Sequence, residues 1–530
     1  MTPPDGAPAT FETEPSRWRH WRLAVRDRVA RLTLAVDEKG ALMDGVLLKR
    51  NSYDLGVDVE LRDAVERLRF EHPGVACVLI ESASPDVFCA GANIAMLARA
   101  SHALKVNFCK LTNETRFAIE DATAAGQRYV AVLTGTASGG GYELALACER
   151  ILLVDDRRAA VSLPELPLLA VLPGTGGLTR LVDKRRVRPD RADVFCTLEE
   201  GLRAPRALEW GLVDAIARPS ELDALVESEI AAALAAAKPG LEGLSGVRLE
   251  PLAPNETEAE LRYRFLRVAL EAERRCAVLT VRPPRALADW LRFARELDDA
   301  ILRLRFHHPE LGLWVLRSEG DGVDDAALLG DDWLARETRA LFGRVLKRIE
   351  CSARSVFAIV DRGSCFHGAL FELALTADRI YMLAAGPAAP AIRIGAANRG
   401  VFRRANGLSR LEQRFFGDAA SLERVLALRG PIGGTEALAL GLVTEAPDEV
   451  DWEDAIRVAL EERASFSPDA LSGLEASLRF AGPETLETKV FARLSAWQNW
   501  IFQRPNAAGP DGALAAYGRP ERAKFDWKRT

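Results

Sequence analysis

Histidine is scarce in this chain, with six copies in 530 residues, and no two have the HExxH type of spacing that would hold a metal. Metal-free chemistry is therefore the expectation. Paired cysteines are missing as well. Cys77, Cys89, Cys109, Cys148, Cys196, Cys276, Cys351 and Cys365 fall singly, several inside apolar runs where free thiols are usual, which excludes a disulfide scaffold and points to a reducing cytoplasm. No block of one charge stands out. Seventy basic residues against 76 acidic ones leave a net charge of -6, so no basic stripe is set aside for phosphate backbones and no nucleic-acid partner is expected. No uninterrupted apolar stretch approaches the roughly 18 residues of a membrane span, and MTPPDGAPATFETEPSRWRHWRLA has no apolar core of a secretion signal. The chain is expected neither to be secreted nor to cross a membrane.

What is present is ordinary in bulk, with 48% hydrophobic and 28% charged residues, as in folded globular chains. A length prior of roughly 150 residues per domain predicts about three units. After a Pro/Ala/Thr-rich start, alternating apolar residues from Trp21 to Val36 read as strands, and Val57 to Phe70 has helical spacing. Short apolar runs at Val75–Glu81, Val130–Leu133 and Ile151–Val154 read as buried strands, with a helix opening near Glu143. This βαβ alternation predicts an α/β architecture with a mostly parallel sheet.

The chain also repeats itself. ERLRFEHPGVACVLIES from Glu66 returns as LRLRFHHPELGLWVLRSE from Leu302, and GYELALACERILLV from Gly141 as LFELALTADRIYML from Leu370. GLTRL (177) is matched by GLSRL (407), and ALEWGLVD (207) by ALALGLVT (437). Four collinear pairs argue for duplication. The predicted organisation is a frayed segment over 1–15, a first domain over 16–280 ending in a helical connector from about Ile216, a second domain over 281–453, and a helical tail over 454–530.

Three clusters carry chemistry. FCAGANI (88–94) follows a strand with small residues that let a turn present its N–H groups. In GTASGGGYELALACE from Gly135, three glycines open a helix whose N-terminus carries unsatisfied N–H groups and partial positive charge. Two such donors on one oxygen would stabilise an oxyanion. LPELPLLAVLPGTGGLTRL from Leu163 then places Glu165 on an otherwise apolar turn, where a raised pKa is invited.

In this order and spacing the residues resemble the crotonase (enoyl-CoA hydratase/isomerase) superfamily. The resemblance implies a duplicated ClpP/crotonase-like ββα superhelix with a helical C-terminal region. It further implies an oxyanion hole from the N–H groups of Ala92 and Gly140, with Glu143 and Glu165 as paired acid/base carboxylates. Retaining both glutamates favours chemistry that adds or activates water. Asn93 stands where the family usually has aspartate and is a candidate substrate-binding group. Cys109, on a helix after that turn, is a candidate pocket group, and Lys49 and Arg50 are candidates for the CoA phosphates. The second copy aligns Glu372 with Glu143 but lacks GGG and an AGAN-like turn, so it is expected to be catalytically silent.

Duplication, the segment LLKRNSYDLGVDVELRDAVERLRFEHP and the ending FQRPNAAGPDGAL...YG...FDWKRT resemble a narrower group in that superfamily. Its members open the ring of an epoxidised benzoyl-CoA with two waters, giving 6-oxohex-3-enoyl-CoA and formate. The resemblance implies an aromatic-derived acyl-CoA substrate, no cofactor apart from the CoA of the substrate, and a homodimer. A general enoyl-CoA hydratase and a non-catalytic acyl-CoA-binding protein are the alternatives.

Overall fold

Runs such as CVLI (77–80), YVAVL (129–133) and ILLV (151–154) are apolar on both faces, which a strand tolerates only inside a covered parallel sheet. In the computed structural model, which describes residues 9–520 and 522–530, these runs form the centre of one sheet, and the chain divides into two compact units, Met1–Pro251 and Leu252–Thr530.

The first unit opens with β1 (Trp21–Arg26) and β2 (Val29–Leu34), an antiparallel pair whose alternating burial leaves one face wet. Helix α1 (Leu55–Phe70) follows, its first turn capped by the Asp54 carboxylate on the Val57 N–H. From there each turn of the chain supplies one strand to each of two sheets, then a helix. β3 (Cys77–Ser82) leads to β4 (Val87–Cys89) and helices α2 (Ile94–Arg99) and α3 (His102–Ala125). β5 (Arg128–Leu133) leads to β6 (Thr136–Ser138) and α4 (Gly140–Ala147), and β7 (Arg150–Val154) to β8 (Ala160–Ser162) and α5 (Glu165–Leu169). With β9 (Leu202–Arg203) and β10 (Ala215–Ala217), the sheets run β1-β2-β3-β5-β7-β10 and β4-β6-β8-β9. This is the ββα superhelix, and it brings the β4–α2, β6–α4 and β8–α5 junctions together.

The second unit repeats the main sheet and loses most of the other. β11 (Asn255–Glu256), β12 (Glu260–Arg262), β13 (Leu266–Glu271) and β14 (Cys276–Val281) form an antiparallel meander. β15 (Leu313–Ser318), β16 (Ser355–Val360) and β17 (Arg379–Met382) continue it in parallel. Among the described residues, only the two-residue strands β18 (Ala391–Ile392) and β19 (Ile432–Gly433) stand apart from this sheet.

Three boundaries differ from those predicted. The connector from Ile216 is helical only over Leu222–Ala235, and from Asn255 the chain is strand. Its charged composition hides the alternation in LRVALE and CAVLTV, so the second unit begins near Leu252 rather than 281. The predicted tail also starts inside that unit: Trp452, Ile456, Ala459 and Leu460 of the 452–465 helix pack on Leu313, Phe357 and Tyr381 of the sheet. Of the predicted frayed segment, residues 1–8 lie outside the described residues. Phe11, however, is 1% exposed, and its carbonyl accepts from Arg62 at 3.1 Å.

The far end of the chain is fastened too. Arg529, 3% exposed, donates to Glu475 at 2.6 Å, and Glu475 also accepts from Ser355 at 2.6 Å and Arg463 at 2.9 Å. Arg529→Ala leaves part of a buried carboxylate without its counter-charge and is expected to destabilise the second unit by roughly 3 kcal/mol, read by urea denaturation. No disulfide joins the eight cysteines, and no helix of the described residues is long and apolar enough to cross a membrane.

Candidate active site

Two backbone turns meet at the junctions of β4–α2 and β6–α4. Gly91 (φ +82°) and Gly139 (φ +51°) adopt conformations that side chains rarely take. A Cβ on Gly91 would sit 2.7 Å from the Ser138 carbonyl oxygen and 2.9 Å from the Gly140 nitrogen. The turns are therefore in direct backbone contact, and a Cβ on Gly140 would lie 3.4 Å from the Ala92 nitrogen.

Tyr53 fixes the first turn from both sides: its N–H donates to the Gly91 carbonyl at 2.8 Å, and its carbonyl accepts from Asn93 N–H at 2.8 Å. Ala92 N–H, between them, has no acceptor among the described residues. Gly140 opens α4, so its N–H has no carbonyl one turn earlier to reach. Two adjacent, undonated amides are the requirement for holding a developing oxyanion.

Glu143, one turn into α4, is 2% exposed. Its Oε1 accepts from Thr175 N–H at 2.9 Å and Gly177 N–H at 2.8 Å, and its Oε2 from the Thr175 hydroxyl. Two backbone N–H groups and one hydroxyl thus hold the Glu143 carboxyl group in a fixed orientation. The loop that supplies them is held by Arg180, which donates to the Thr175 carbonyl at 3.1 Å and forms a bidentate pair with Glu120 at 2.8 and 3.0 Å.

Glu165 lies in the opposite environment. It begins α5, and a Cβ on Gly139 would sit 2.7 Å from its Oε1, so the carboxyl group lies against the second amide turn. Its Oε2 is buried without a hydrogen-bond partner. Burial, and then the nearby negative charge of Glu143, push its pKa from 4.5 up to about 7. Two carboxyls in such unlike surroundings can divide acid and base work.

The remaining sequence candidates sort differently. Cys109 on α3 lies beside the Gly174 loop, where a Cβ on Gly174 would be 3.1 Å from its sulfur. Burial, and then Glu143, raise its thiol pKa to about 11, so it is a neutral group at the edge of the site. Asn93, expected to contact substrate, is spent inside the fold. Its Oδ1 caps α2 on Met96 N–H, and its Nδ2 donates to the Leu47 carbonyl and the Ser52 hydroxyl, each at 2.9 Å. Lys49 and Arg50 are exposed on a short turn whose Arg50 carbonyl accepts from Ala90 N–H at 3.2 Å, so both stand near the first amide turn. Thr175 was not foreseen; the available signal was a single hydroxyl residue inside PGTGG.

The second unit has the same frame with its groups occupied. Glu372 accepts from Asn398 at 2.8 Å and from Arg410 at 3.1 Å, and Arg410 also contacts Glu350 at 2.8 Å. Ala369 N–H, the counterpart of Gly140 N–H, donates to Asp325 at 2.9 Å. Its carboxylate is neutralised by an arginine, and its amide is taken by the chain's own acid.

Residues 48–240 match the enoyl-CoA hydratase/isomerase family. The whole chain is 50% identical over 541 aligned residues to the benzoyl-CoA-dihydrodiol lyase of Aromatoleum evansii, covering 98% of this chain and 97% of that protein. It is 37% identical to the alpha subunit of the fatty acid oxidation complex of Shewanella loihica over 169 residues, 31% of this chain and 22% of that one. Among solved structures, an enoyl-CoA hydratase of Geobacillus kaustophilus aligns at 31% identity and a TM-score of 0.36, covering 41% of this chain and 75% of that one. Half the residues shared from end to end with a curated relative place this chain in the benzoyl-CoA-dihydrodiol lyase family, with its first unit an enoyl-CoA hydratase/isomerase domain.

Proposed function

We propose that the chain is a ring-cleaving carbon-carbon lyase that takes 2,3-epoxybenzoyl-CoA and two waters to 6-oxohex-3-enoyl-CoA and formate. The observation that carries this reading is a complete pair of amides and a complete pair of unlike carboxyls in a chain aligned end to end with a benzoyl-CoA-dihydrodiol lyase. The atoms balance without an electron acceptor, because the epoxide oxygen and the two waters together supply the three oxygens of the aldehyde and formate. CoA arrives with the substrate, so the reading calls for no further cofactor.

Scission next to the thioester leaves an electron pair on the carbon α to the carbonyl. Ala92 and Gly140 N–H receive that charge on the thioester oxygen, and each donor is worth on the order of a hundredfold or more in rate. Glu143, held in a fixed orientation by three hydrogen bonds, orients and activates water. Glu165, able to hold a proton near neutrality, supplies and recovers protons as the epoxide and the C–C bond open. Cys109 borders the acyl group, and Lys49 and Arg50 meet the CoA phosphates. The chain works as a homodimer in the cytoplasm.

Because Glu165 is protonated below about pH 7 and ionised above it, kcat is expected to fall roughly tenfold per unit as pH rises past that value, with the limb abolished in Glu165→Gln. The test of the function itself compares 2,3-epoxybenzoyl-CoA with crotonyl-CoA. Hydration of crotonyl-CoA without formate from the epoxide would favour a general enoyl-CoA hydratase. Binding of both esters with no turnover would favour an acyl-CoA-binding protein.

A further inference from the structure

Behind the two amides lies a buried cluster of charged and polar side chains that the proposed reaction does not use. Arg116, on the buried stripe of α3, is 1% exposed; Asp58 on α1 is 0% and Tyr53 is 2% exposed. Arg116 Nη2 donates to the Gly140 carbonyl at 2.9 Å, and its Nη1 donates to the Thr112 carbonyl at 2.9 Å. The guanidinium lies 5.9 Å from the Tyr53 ring centroid and, through Nη1, 3.9 Å from Asp58. Asp58 in turn accepts from the Tyr53 hydroxyl at 2.9 Å and the Thr115 hydroxyl at 2.7 Å.

The two ends of this cluster are the two halves of the oxyanion site. Arg116 holds the residue whose N–H is one donor. Tyr53 brackets the other, since its own N–H and carbonyl bond the residues on either side of Ala92. A buried cation is costly to retain, and Arg116 Nε has no acceptor among the described residues.

The duplication supplies an internal control. Buried polar contacts that serve the frame recur in the second unit, with their helix residues at an offset of 236. Glu60 accepts from the Arg19, His20 and Trp21 N–H groups, and Glu296 from those of Arg264 and Phe265. Asp63 pairs with Arg67 at 2.8 Å, and Asp299 with Arg303 at 2.7 Å. The same offset puts Ala294 at the place of Asp58. Glu120 and Glu350, each paired with the corresponding Arg180 or Arg410, set the helix register at an offset of 230, which puts Leu346 at the place of Arg116. The unit whose amide is already occupied by Asp325 has kept the frame contacts, has Ala294 and Leu346 at the places of Asp58 and Arg116, and joins its 287–307 and 333–350 helices instead by an Arg348–Asp298 pair at 2.8 Å.

We propose that Arg116, set by Asp58 and Tyr53, is a positioning residue that fixes the Gly140 and Ala92 amides relative to each other and adds a buried positive charge behind the thioester oxygen. It acts by holding the Gly140 carbonyl, and with it the residue that carries the donor N–H, and does not touch substrate. This rests on the ring-cleaving reading above, and the test separates the two.

The experiment uses the full chain with Arg116→Met, Arg116→Lys and Tyr53→Phe. It reads kcat and KM for formate release from 2,3-epoxybenzoyl-CoA, and the infrared carbonyl band of bound carbonyl-13C benzoyl-CoA. Wild type is expected to lower the carbonyl frequency on binding. Arg116→Met should lose most of that shift and roughly a hundredfold in kcat, the scale of one oxyanion donor, with KM within about threefold. Arg116→Lys, which keeps a charged donor, should recover part of both, and Tyr53→Phe should fall between. If Arg116→Met does not fold, Arg116→Lys and Tyr53→Phe carry the same comparison. Folded variants with the wild-type band and kcat, or with only KM raised, overturn the proposal. A wild type that shifts the carbonyl but releases no formate overturns the ring-cleaving reading and leaves the carbonyl shift of the variants to decide the role of Arg116.

Discussion

Glu165→Gln is expected to lower kcat for ring cleavage by roughly 10²- to 10⁴-fold, the range of a lost general acid/base, while the Kd for benzoyl-CoA stays within about threefold. Glutamine fills the same space beside Gly139 but cannot exchange a proton. The variant should also melt at a higher temperature than wild type at pH 8. The sign follows from the raised pKa. The native carboxyl holds its proton up to about pH 7, whereas the unfolded chain releases it near 4.5, so ionising Glu165 in the fold costs stability that builds up between those values. At pH 4 both states are protonated and the difference in melting temperature should vanish. A more stable, nearly inactive variant marks a carboxyl retained for chemistry. Unchanged kcat in Glu165→Gln, or equal melting at both pH values, would remove Glu165 from the mechanism.

Gly139→Ala carries the second large effect. With φ +51°, the backbone sits where an L side chain is strained, and the new Cβ would lie 2.7 Å from Glu165 Oε1. The methyl group displaces the proton carrier, the turn that aims Gly140 N–H, or both. Loss of one oxyanion donor alone costs roughly 10²- to 10³-fold in kcat, so a decrease of at least about a hundredfold is expected. Gly433→Ala serves as the control, because a Cβ there meets nothing within 4 Å. Steady-state kinetics on the two variants should separate them by that factor, and near-equal kcat values would contradict the backbone geometry.

The parts of the site readable in the sequence are those whose chemistry is local in the chain. Three glycines before Tyr142 and Glu143 announce a helix N-terminus with its amides bare, and proline before Glu165 announces a carboxylate on a turn. Both follow from backbone sterics within a few residues. Partners brought by distant segments were not readable. Thr175 reaches Glu143 across 32 positions, and Arg116 reaches Gly140 across 24, and neither pairing leaves a periodic trace. Asn93 misled for the same reason: beside the amide turn in sequence, it is engaged by Leu47 and Ser52 from an earlier loop.

The fold shows the same division. The parallel strands were legible because burial on both faces makes them continuously apolar. The β13–β14 pair lies inside the seven-stranded sheet but was missed because charged residues alternate with the apolar ones along β13 and the charged turn AERR separates the two strands, so composition there reads as a connector. The repeat was legible where frame contacts are kept, as at Glu60 and Glu296, and faded where the second unit has given up free amides and an unpaired glutamate.

The most direct test is formate measured against substrate consumed when purified protein is given 2,3-epoxybenzoyl-CoA, with Glu165→Gln alongside. One formate and one aldehyde-bearing CoA ester per substrate from wild type, and almost none from the variant, is the expected result. Consumption of the epoxide without formate, or equal formate from both proteins, would contradict ring cleavage by the amide and carboxyl pairs of the first unit.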